Sequence, residues 1–400
     1  MASPSLICGY SRKLESRLLL SDQSLSHQAN DGHKPGKAAA AHSLAEILSQ
    51  PDCWKACLAK LRQSKELEQV RDRFAKSRGW LLIGCGSSYY VALAAAATMR
   101  SLTKSPAQAV PASEILLYPE LALATAKEWV PVLISRSGRT SEVLKAAELL
   151  GSRNFPTLAI TCAPNQPLEK MASLTISLPS ADEQSTVMTR SFSSMLLTLQ
   201  ALAAVIAGDA NFSASLEHMP AAAEASSADL PTKIRAFVQA HSFADYVCLG
   251  QGPFYGLACE YALKLTEMSL SYAQAFHTLE FRHGPKSIVS SETLLVFLLS
   301  ESGYQAESEM LSEMKSLGAP ILAVANQADG RVRASADLVV ELSLPVPELA
   351  RLGPALSPGQ LLGLYTGLDK GLDPDTPRNL TRVVTLEQGS PSVTTKHATL

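Results

Sequence analysis

Two stretches of the chain, about 165 residues apart, carry nearly the same pattern, and this repeat limits the fold more than any other feature. Near residue 80 the sequence reads GWLLIGCGSSYYVALAAA, and near residue 245 it reads DYVCLGQGPFYGLACEYALKL. Gly84, Gly86 and Tyr89 in the first hold the positions of Gly250, Gly252 and Tyr255 in the second. Further on, Ser135-x-Ser137-Gly138 is answered by Ser300-x-Ser302-Gly303, and ASLTISLP from Ala172 by ADLVVELSLP from Ala336. One period occurring twice over this length means two copies of a domain-sized unit, not a solenoid. The positions where the copies differ are where function is to be sought.

Apolar residues make up 46 % of the chain and charged residues 18 %, enough to fill two large cores. The formal net charge is −2 and no basic run occurs, which argues against nucleic acid or an anionic membrane as partner. An anionic ligand must then be held by local dipoles and a few cations. The seven cysteines are odd in number and lack metal-ligand spacing; Cys53 and Cys57, one helical turn apart, read as a packed helix face. No metal and no cofactor are expected, and scattered thiols fit a reducing cytosol. No secretory signal is present and no apolar run approaches the roughly 20 residues of a membrane span, so the reading is of a soluble, cytoplasmic protein.

Residues 1–42 are rich in Ser, Gln, Asn, Gly and Lys and read as a flexible extension. The first unit is expected over 43–210, an Ala/Ser-rich connection over 211–231, the second unit over 232–357, and a helix with a tail over 358–400. Helical patterning begins near Ser43, with Ala45, Leu48, Trp54, Leu58 and Leu61 on one face, broken by Pro51. Within the first unit, LLIG, a segment around Ala109, PVLIS, TLAIT and LTISL read as strands. They alternate with helices Tyr90–Leu102, Ser113–Ala122 and Ser141–Gly151, and helix Thr189–Ala207 closes the unit. The second repeats the order with YVCLG, TLLVFLL, ILAVA and LVVEL, and helices Gly256–Ser269 and Ala306–Leu317. Helix Gly359–Gly371 follows. Strands that read as continuous apolar runs between helices predict a parallel sheet covered on both faces, an α/β fold of three layers.

Gly84-Cys-Gly86-Ser87-Ser88 follows one strand and opens a helix; Ser135-Arg136-Ser137-Gly138-Arg139-Thr140 does the same at another. Both fall at C-terminal strand ends, where an open α/β sheet places its ligands. Glycine admits an anion close to backbone N–H groups, and the helix terminus and the hydroxyls add positive potential and donors. One such turn reads as an ordinary capped helix start; two in one unit favour a phosphate. Neither the P-loop nor the dinucleotide fingerprint is present. In the second copy Pro253 and Glu301 replace Ser87 and Arg136, so that copy reads as scaffold at this location. What it gains is Glu260-Tyr-Ala-Leu-Lys264-Leu-Thr-Glu267 and Arg282-His283-Gly284-Pro285. Lys264 and Glu267 share a helix face, which alone reads as a surface ion pair. His283 sits in a loop ahead of a strand-like SIV, bracketed by Arg282 and a Gly-Pro stop, and reads as an exposed working histidine.

These motifs resemble the double-SIS (sugar isomerase) family. CGSSY is similar to CGTSY, and ALKLTE to ALKLKE, of the isomerase half of glutamine–fructose-6-phosphate aminotransferase; PRNLTRVVTLE is similar to that enzyme's tail, PRNLAKSVTVE. FRHGPKSIV and the RSG-x-x-x-E turn resemble the tagatose-6-phosphate ketose/aldose isomerase group, whose members act as amino-sugar-phosphate deaminases. The resemblance covers residues 45 to about 387. It implies two tandem SIS domains and a sugar-phosphate site using Ser88, Ser135, Ser137 and Thr140, to which Ser87, Arg136 and Arg382 are added here as neighbouring candidates. It implies Glu267 as enolisation base with Lys264 beside it, and ring opening by His283 supplied across a homodimer with shared sites. Moving a proton between C1 and C2 needs one carboxylate near both carbons.

Three departures matter. Only some 45 residues precede the first unit, so glutamine hydrolysis by a glutaminase domain in cis is not expected. Arg136 and Arg139 replace the Gln and Glu of the synthase turn. Arg382 stands where the synthase tail has its Schiff-base lysine, and an arginine stays protonated and forms no such imine. The expected activity is therefore conversion of a hexosamine 6-phosphate to a ketose 6-phosphate and ammonia, or the related aldose–ketose isomerisation. A synthase-like enzyme fed with external ammonia is the first alternative. A non-catalytic sugar-phosphate-binding regulator is the second, disfavoured because Lys264, Glu267 and His283 are all present.

Overall fold

The repeated glycines do the same work in both units. A Cβ on Gly84 would lie 2.5 Å from the backbone of Ser88, and one on Gly250 would lie 2.4 Å from Phe254 O, so each strand end is pressed against its own helix. Gly86 and Gly252 then turn the chain with φ of 53° and 55°, a region side chains avoid. These matched turns anchor a computed structural model that describes residues 39–386. The expected extension over residues 1–42 lies almost wholly outside the described residues.

Helices α1 (Ala41–Leu48) and α2 (Gln50–Ser64) divide at Pro51, which sits in the first turn of α2 where its missing N–H costs nothing. The first unit runs β1 (Gly79–Gly84), α3 (Ser87–Thr103), β2 (Ala107–Pro111), β3 (Trp129–Ile134), α4 (Ser141–Ser152), β4 (Leu158–Thr161) and β5 (Leu174–Ser177). Helices α5 (Arg190–Ala207), α6 (Ala210–Ser226) and α7 (Leu230–Ala240) fill the stretch read as closing helix and connection. The second unit runs β6 (Asp245–Gly250), α8 (Phe254–Ser269), β7 (Tyr272–Phe276), β8 (Thr293–Leu298), α9 (Tyr304–Ser316), β9 (Ile321–Ala325) and β10 (Leu338–Glu341), followed by α10 (Ser357–Asp369).

Both sheets are parallel and five-stranded, and their orders correspond: β2-β1-β3-β4-β5 and β7-β6-β8-β9-β10. The order reverses between β1 and β3 and between β6 and β8, which opens a crevice at the carboxyl ends of each pair. Helices cover both faces, as the apolar strands predict.

Several elements differ from the sequence reading. Strand β7 was not expected: YAQAF is short and lies at a sheet edge, and Tyr272 is 65 % exposed, so it lacks an apolar run. The strand-like SIV is instead the end of a single 3₁₀ turn, Pro285–Ile288. Pro119 splits the expected helix Ser113–Ala122 into two short ones. Helix α5 is long and apolar enough to pass for a membrane span, contrary to the reading that nothing comes near one, but 78 % of it is buried inside the protein. It is the central core helix of the first unit.

Two close approaches set the position of α8. Gly359, Gly363 and Gly367 form a bare stripe on α10; added Cβ atoms would lie 2.2 Å from the Tyr261 ring, 2.9 Å from Lys264 O and 2.2 Å from Met268 O. On its other side, Gly256 of α8 meets Tyr90 O and Ala94 N of α3, each 2.8 Å from an added Cβ. The helix of the second unit that bears the acid–lysine motif is thus pressed onto the helix that opens at the first unit's glycine turn. The tail's Asp375 accepts hydrogen bonds from His42 N (2.9 Å) and Ser43 N (2.7 Å), capping α1, whose own N-cap Ala40 offers no acceptor.

Candidate active site

The crevice at β1 and β3 is a cleft of about 190 Å³ whose walls come from both units. Ser87 and Ser88 supply one wall, Arg136, Ser137 and Thr140 a second, and Glu267 of α8 a third. Thr186 and Met188 complete the base, and the tail residues Leu380, Thr381, Arg382 and Val384 run across the top.

Gly138 has φ 61°, so the Ser135–Thr140 turn curls its backbone around the cleft edge. Behind it, the Ser135 and Thr140 hydroxyls lie 3.3 Å apart, and Ser137 Oγ accepts from Arg139 N at 3.2 Å. The amides of Ser137 and Thr140 donate to no protein acceptor among the described residues, which leaves an N–H-lined recess beside the N-terminus of α4. Ser135 is buried and supports Thr140; it is not part of the lining.

Behind Glu267 lies a buried network that the single ion pair of the sequence reading did not convey. Lys264 is fully buried and pairs with Glu267 on one side and with Glu260 Oε1 at 3.2 Å on the other. Ser87 Oγ donates to the same Glu260 oxygen at 3.0 Å, so Ser87 faces the network as well as the cleft. Glu260 Oε2 has no hydrogen-bond partner. Burial pushes the Glu260 carboxyl up, more than the neighbouring ammonium pulls it down. Burial alone would lower Lys264, but the two carboxylates outweigh it and hold the ammonium charged. Glu260 was quoted in the motif and given no role. Its signal was the spacing Glu-x-x-x-Lys-x-x-Glu on a helix otherwise almost wholly apolar on that face.

Arg136 lies in the lining but is 6 % exposed. It donates to Glu183, to the carbonyls of Thr186 and Val187, and to the carbonyl of Arg382 in the tail. The Arg382 side chain turns outward to pair with Asp182. Thr186 and Met188 escaped the sequence reading because they lie in an irregular loop with no periodicity. That loop is fixed by Glu46, which accepts from Gln184 N and Ser185 Oγ, and by Glu183, which accepts from Thr189 N at 2.6 Å and Ser191 N at 3.0 Å.

In the second unit the matching turn is braced by carboxylates of the chain itself. Glu307, at the position of Glu142 in the repeat, accepts from Ser300 N at 2.7 Å and Ser300 Oγ at 3.0 Å. Glu348 accepts from Glu301 N. Gly303 has φ −103° where Gly138 has 61°, so this turn does not curl in the same way. Two carboxylates of the chain thus hold the start of this turn, where the first unit has none among the described residues. Burial pushes Glu307 up to about 7 despite those bonds.

His283 follows a 3₁₀ turn, Glu280–Arg282, and is exposed; it does not line the cleft of its own chain. Arg282 and Lys286 on either side both pair with Glu313, at 2.7 and 3.0 Å, which fixes the loop on α9. Cys53 and Cys57 are buried on α2 as the packed face expected, and no cluster of metal-ligating side chains occurs among the described residues.

The chain belongs to the SIS domain family, which matches residues 73–205 and 246–354. Among solved structures it is similar to a glucosamine-6-phosphate deaminase from Thermotoga maritima, with TM-score 0.69 and 30 % identity over 86 % of this chain and 99 % of that one. It has the fold of tagatose-6-phosphate ketose/aldose isomerase from Escherichia coli, with TM-score 0.76 and 24 % identity over 85 % of this chain and 96 % of that one. Among curated proteins it is 29 % identical over 363 residues to a glutamine–fructose-6-phosphate aminotransferase [isomerizing] from Pyrobaculum aerophilum, covering 86 % of this chain and 57 % of that protein. The chain therefore spans little more than half the length of such relatives. These relatives and structural neighbours are sugar-phosphate isomerases, aminotransferases and deaminases.

Proposed function

We propose that this protein converts a hexosamine 6-phosphate to a ketose 6-phosphate and ammonia. One observation carries the reading: a carboxylate backed by a fully buried lysine, Glu267 on Lys264, faces the Ser/Thr turn in a cleft whose tail offers an arginine instead of a lysine. In this scheme the phosphate sits on the turn, held by Ser88, Ser137 and Thr140 with Ser135 in support. It orients the open-chain sugar against Glu267. Glu267 takes the proton from C2 and returns it to C1, which turns an amino-aldose into a ketimine. Water adds at C2 and ammonia leaves, so atoms balance without an enzyme imine. Lys264, held charged between two carboxylates behind the cleft, fixes the Glu267 carboxylate in place for the proton transfer. His283, exposed and outside its own cleft, opens the ring in the cleft of a second copy; the active form is then at least a homodimer.

The test is ammonia release from glucosamine 6-phosphate and galactosamine 6-phosphate by the purified chain. Release is expected from at least one of them and not from unphosphorylated hexosamines. No release from either, with glucosamine 6-phosphate formed instead from fructose 6-phosphate and ammonia, would favour the synthase-like alternative. In that case borohydride added with fructose 6-phosphate would leave a stable adduct on a lysine; under the proposed reading the protein mass stays unchanged. Lys370 is the natural control, since burial lowers it and it donates to Ser271 Oγ at 2.7 Å, away from the cleft.

A further inference from the structure

We infer that Arg136 is a positioning residue for the tail, fastening residues 380–386 over the cleft, and not a ligand of the phosphate. The inference rests on the reading of the cleft as a sugar-phosphate site. A guanidinium that binds phosphate presents two parallel N–H groups to it. Arg136 has none to present from its terminal nitrogens. Its four terminal N–H groups meet four protein acceptors: Nη1 donates to Glu183 Oε2 and Val187 O, both at 3.1 Å, and Nη2 to Thr186 O at 2.8 Å and Arg382 O at 3.0 Å. Its charge is already matched by Glu183, which is itself buried and held by Thr189 and Ser191 at the start of α5.

What Arg136 joins explains why it is there. Its backbone belongs to the phosphate turn. Its side chain grips the loop that places Thr186 and Met188 in the cleft, and it reaches the tail. The other fastenings of the tail are peripheral. Arg382 pairs with Asp182 through side chains 42 % and 41 % exposed, an arrangement worth little. Ser141 N donates to Val384 O at 3.2 Å, and the Ser141 hydroxyl accepts from Leu386 N at 3.0 Å, at the start of α4. The bond from Arg136 is the one made by a buried, charged side chain, and it ties the phosphate turn to the cover of the sugar.

The test separates two ligands that share a phosphate. Inorganic phosphate fills only the turn, while a hexosamine 6-phosphate also meets the tail. In Arg136→Gln, affinity for inorganic phosphate is expected to stay within about twofold of the parent, while affinity for glucosamine 6-phosphate falls about tenfold, the value of one lost charge-assisted hydrogen bond. Trypsin should cut faster after Arg378 and Arg382. Arg136→Lys keeps the charge opposite Glu183 and is the variant to use if Arg136→Gln does not fold; it should show the same split. A parallel loss of both ligands in either variant would make Arg136 a phosphate ligand and overturn the inference, as would tail cleavage at the parental rate. If the parent binds neither ligand, the sugar-phosphate reading fails, whereas the tail cleavage still reports on Arg136.

Discussion

Lys264→Met should expose how the buried charges on α8 depend on one another. The ammonium stands between Glu260, 3.2 Å away and fully buried, and Glu267, whose side chain is 18 % exposed. Methionine keeps the length of the stem and removes only the charge and its donors. Glu267 can turn toward water. Glu260 cannot, and retains only the Ser87 hydroxyl at 3.0 Å, with Oε2 already unpartnered. Removing one partner of a buried pair costs about 3–5 kcal/mol, because the other charge is left uncompensated. The double variant Lys264→Met with Glu260→Met removes that charge too and leaves one orphaned hydroxyl, worth about 1 kcal/mol. Closed with Glu260→Met alone, the cycle should therefore show a favourable coupling of about 2–4 kcal/mol, with the double variant more stable than Lys264→Met alone. Urea unfolding followed by the tryptophans at 54, 80 and 129 measures the parent, both single variants and the double variant. A pH series adds a second readout. A carboxyl whose folded pKa is raised holds its proton longer in the folded chain, so stability falls as pH rises from the unfolded value through the folded one. Lys264→Met should raise Glu260 further and regain stability on acidification toward pH 5; the double variant should lack that gain. Simple additivity of the two substitutions would refute the reasoning.

Three more outcomes follow from other parts of the molecule. Glu307, pushed by burial from 4.5 up to about 7, should cost the native protein stability as pH rises across that interval, and Glu307→Gln should flatten this part of the profile; an unchanged slope in the urea midpoint between pH 5 and 7.5 would count against it. Gly138→Ala places a Cβ at φ 61° and 2.9 Å from Gln166 Cβ, so it should cost about 1–2 kcal/mol and raise KM for the hexosamine 6-phosphate more than it lowers kcat; equal KM values would remove the turn from the phosphate site. Mixing inactive Glu267→Gln with inactive His283→Ala should restore part of the activity through hybrid dimers, and no recovery after verified subunit exchange would rule out a shared site.

What the sequence made legible and what it hid divide along the range of the contacts involved. The glycine-ended strands, the two Ser turns and the acid–lysine spacing are local patterns, and the structure places them on matched turns and one helix. Strand β7 was hidden because an edge strand with Tyr272 facing solvent has no apolar run to announce it. The partners of Arg136 were hidden for a different reason. An arginine inside a Ser-Gly turn has the chemistry of a phosphate ligand, and only partners 47 and 246 residues away, Glu183 and Arg382, reveal that its donors are already taken. Lys264 shows the same limit: i,i+3 and i,i+4 spacing gives the partners, but burial comes from α3 and α10 packing on either side.

The duplicated architecture gives a physical reason for dividing the work between copies. Two identical units would each offer an N–H-lined turn at a strand end and no acid–base group beside it. Here the amides of Ser137 and Thr140 in the first unit meet no protein acceptor among the described residues, while in the second Glu307 and Glu348 brace the turn through Ser300 N and Glu301 N. The second unit puts its chemistry on the flank of α8 instead. That flank is of use only if α8 reaches the other unit's cleft. The bare glycine stripe of α10 and the contact of Gly256 with α3 allow this approach by letting backbones meet where side chains would hold them apart. Ser87 then marks the junction: it begins the helix at the first unit's glycine turn and hydrogen-bonds to Glu260 of the second. A shift of α8 by one ångström would break that bond and move Glu267 relative to the phosphate turn. Under the proposed function, the glycines of α10 are therefore as constrained as the carboxylate they position.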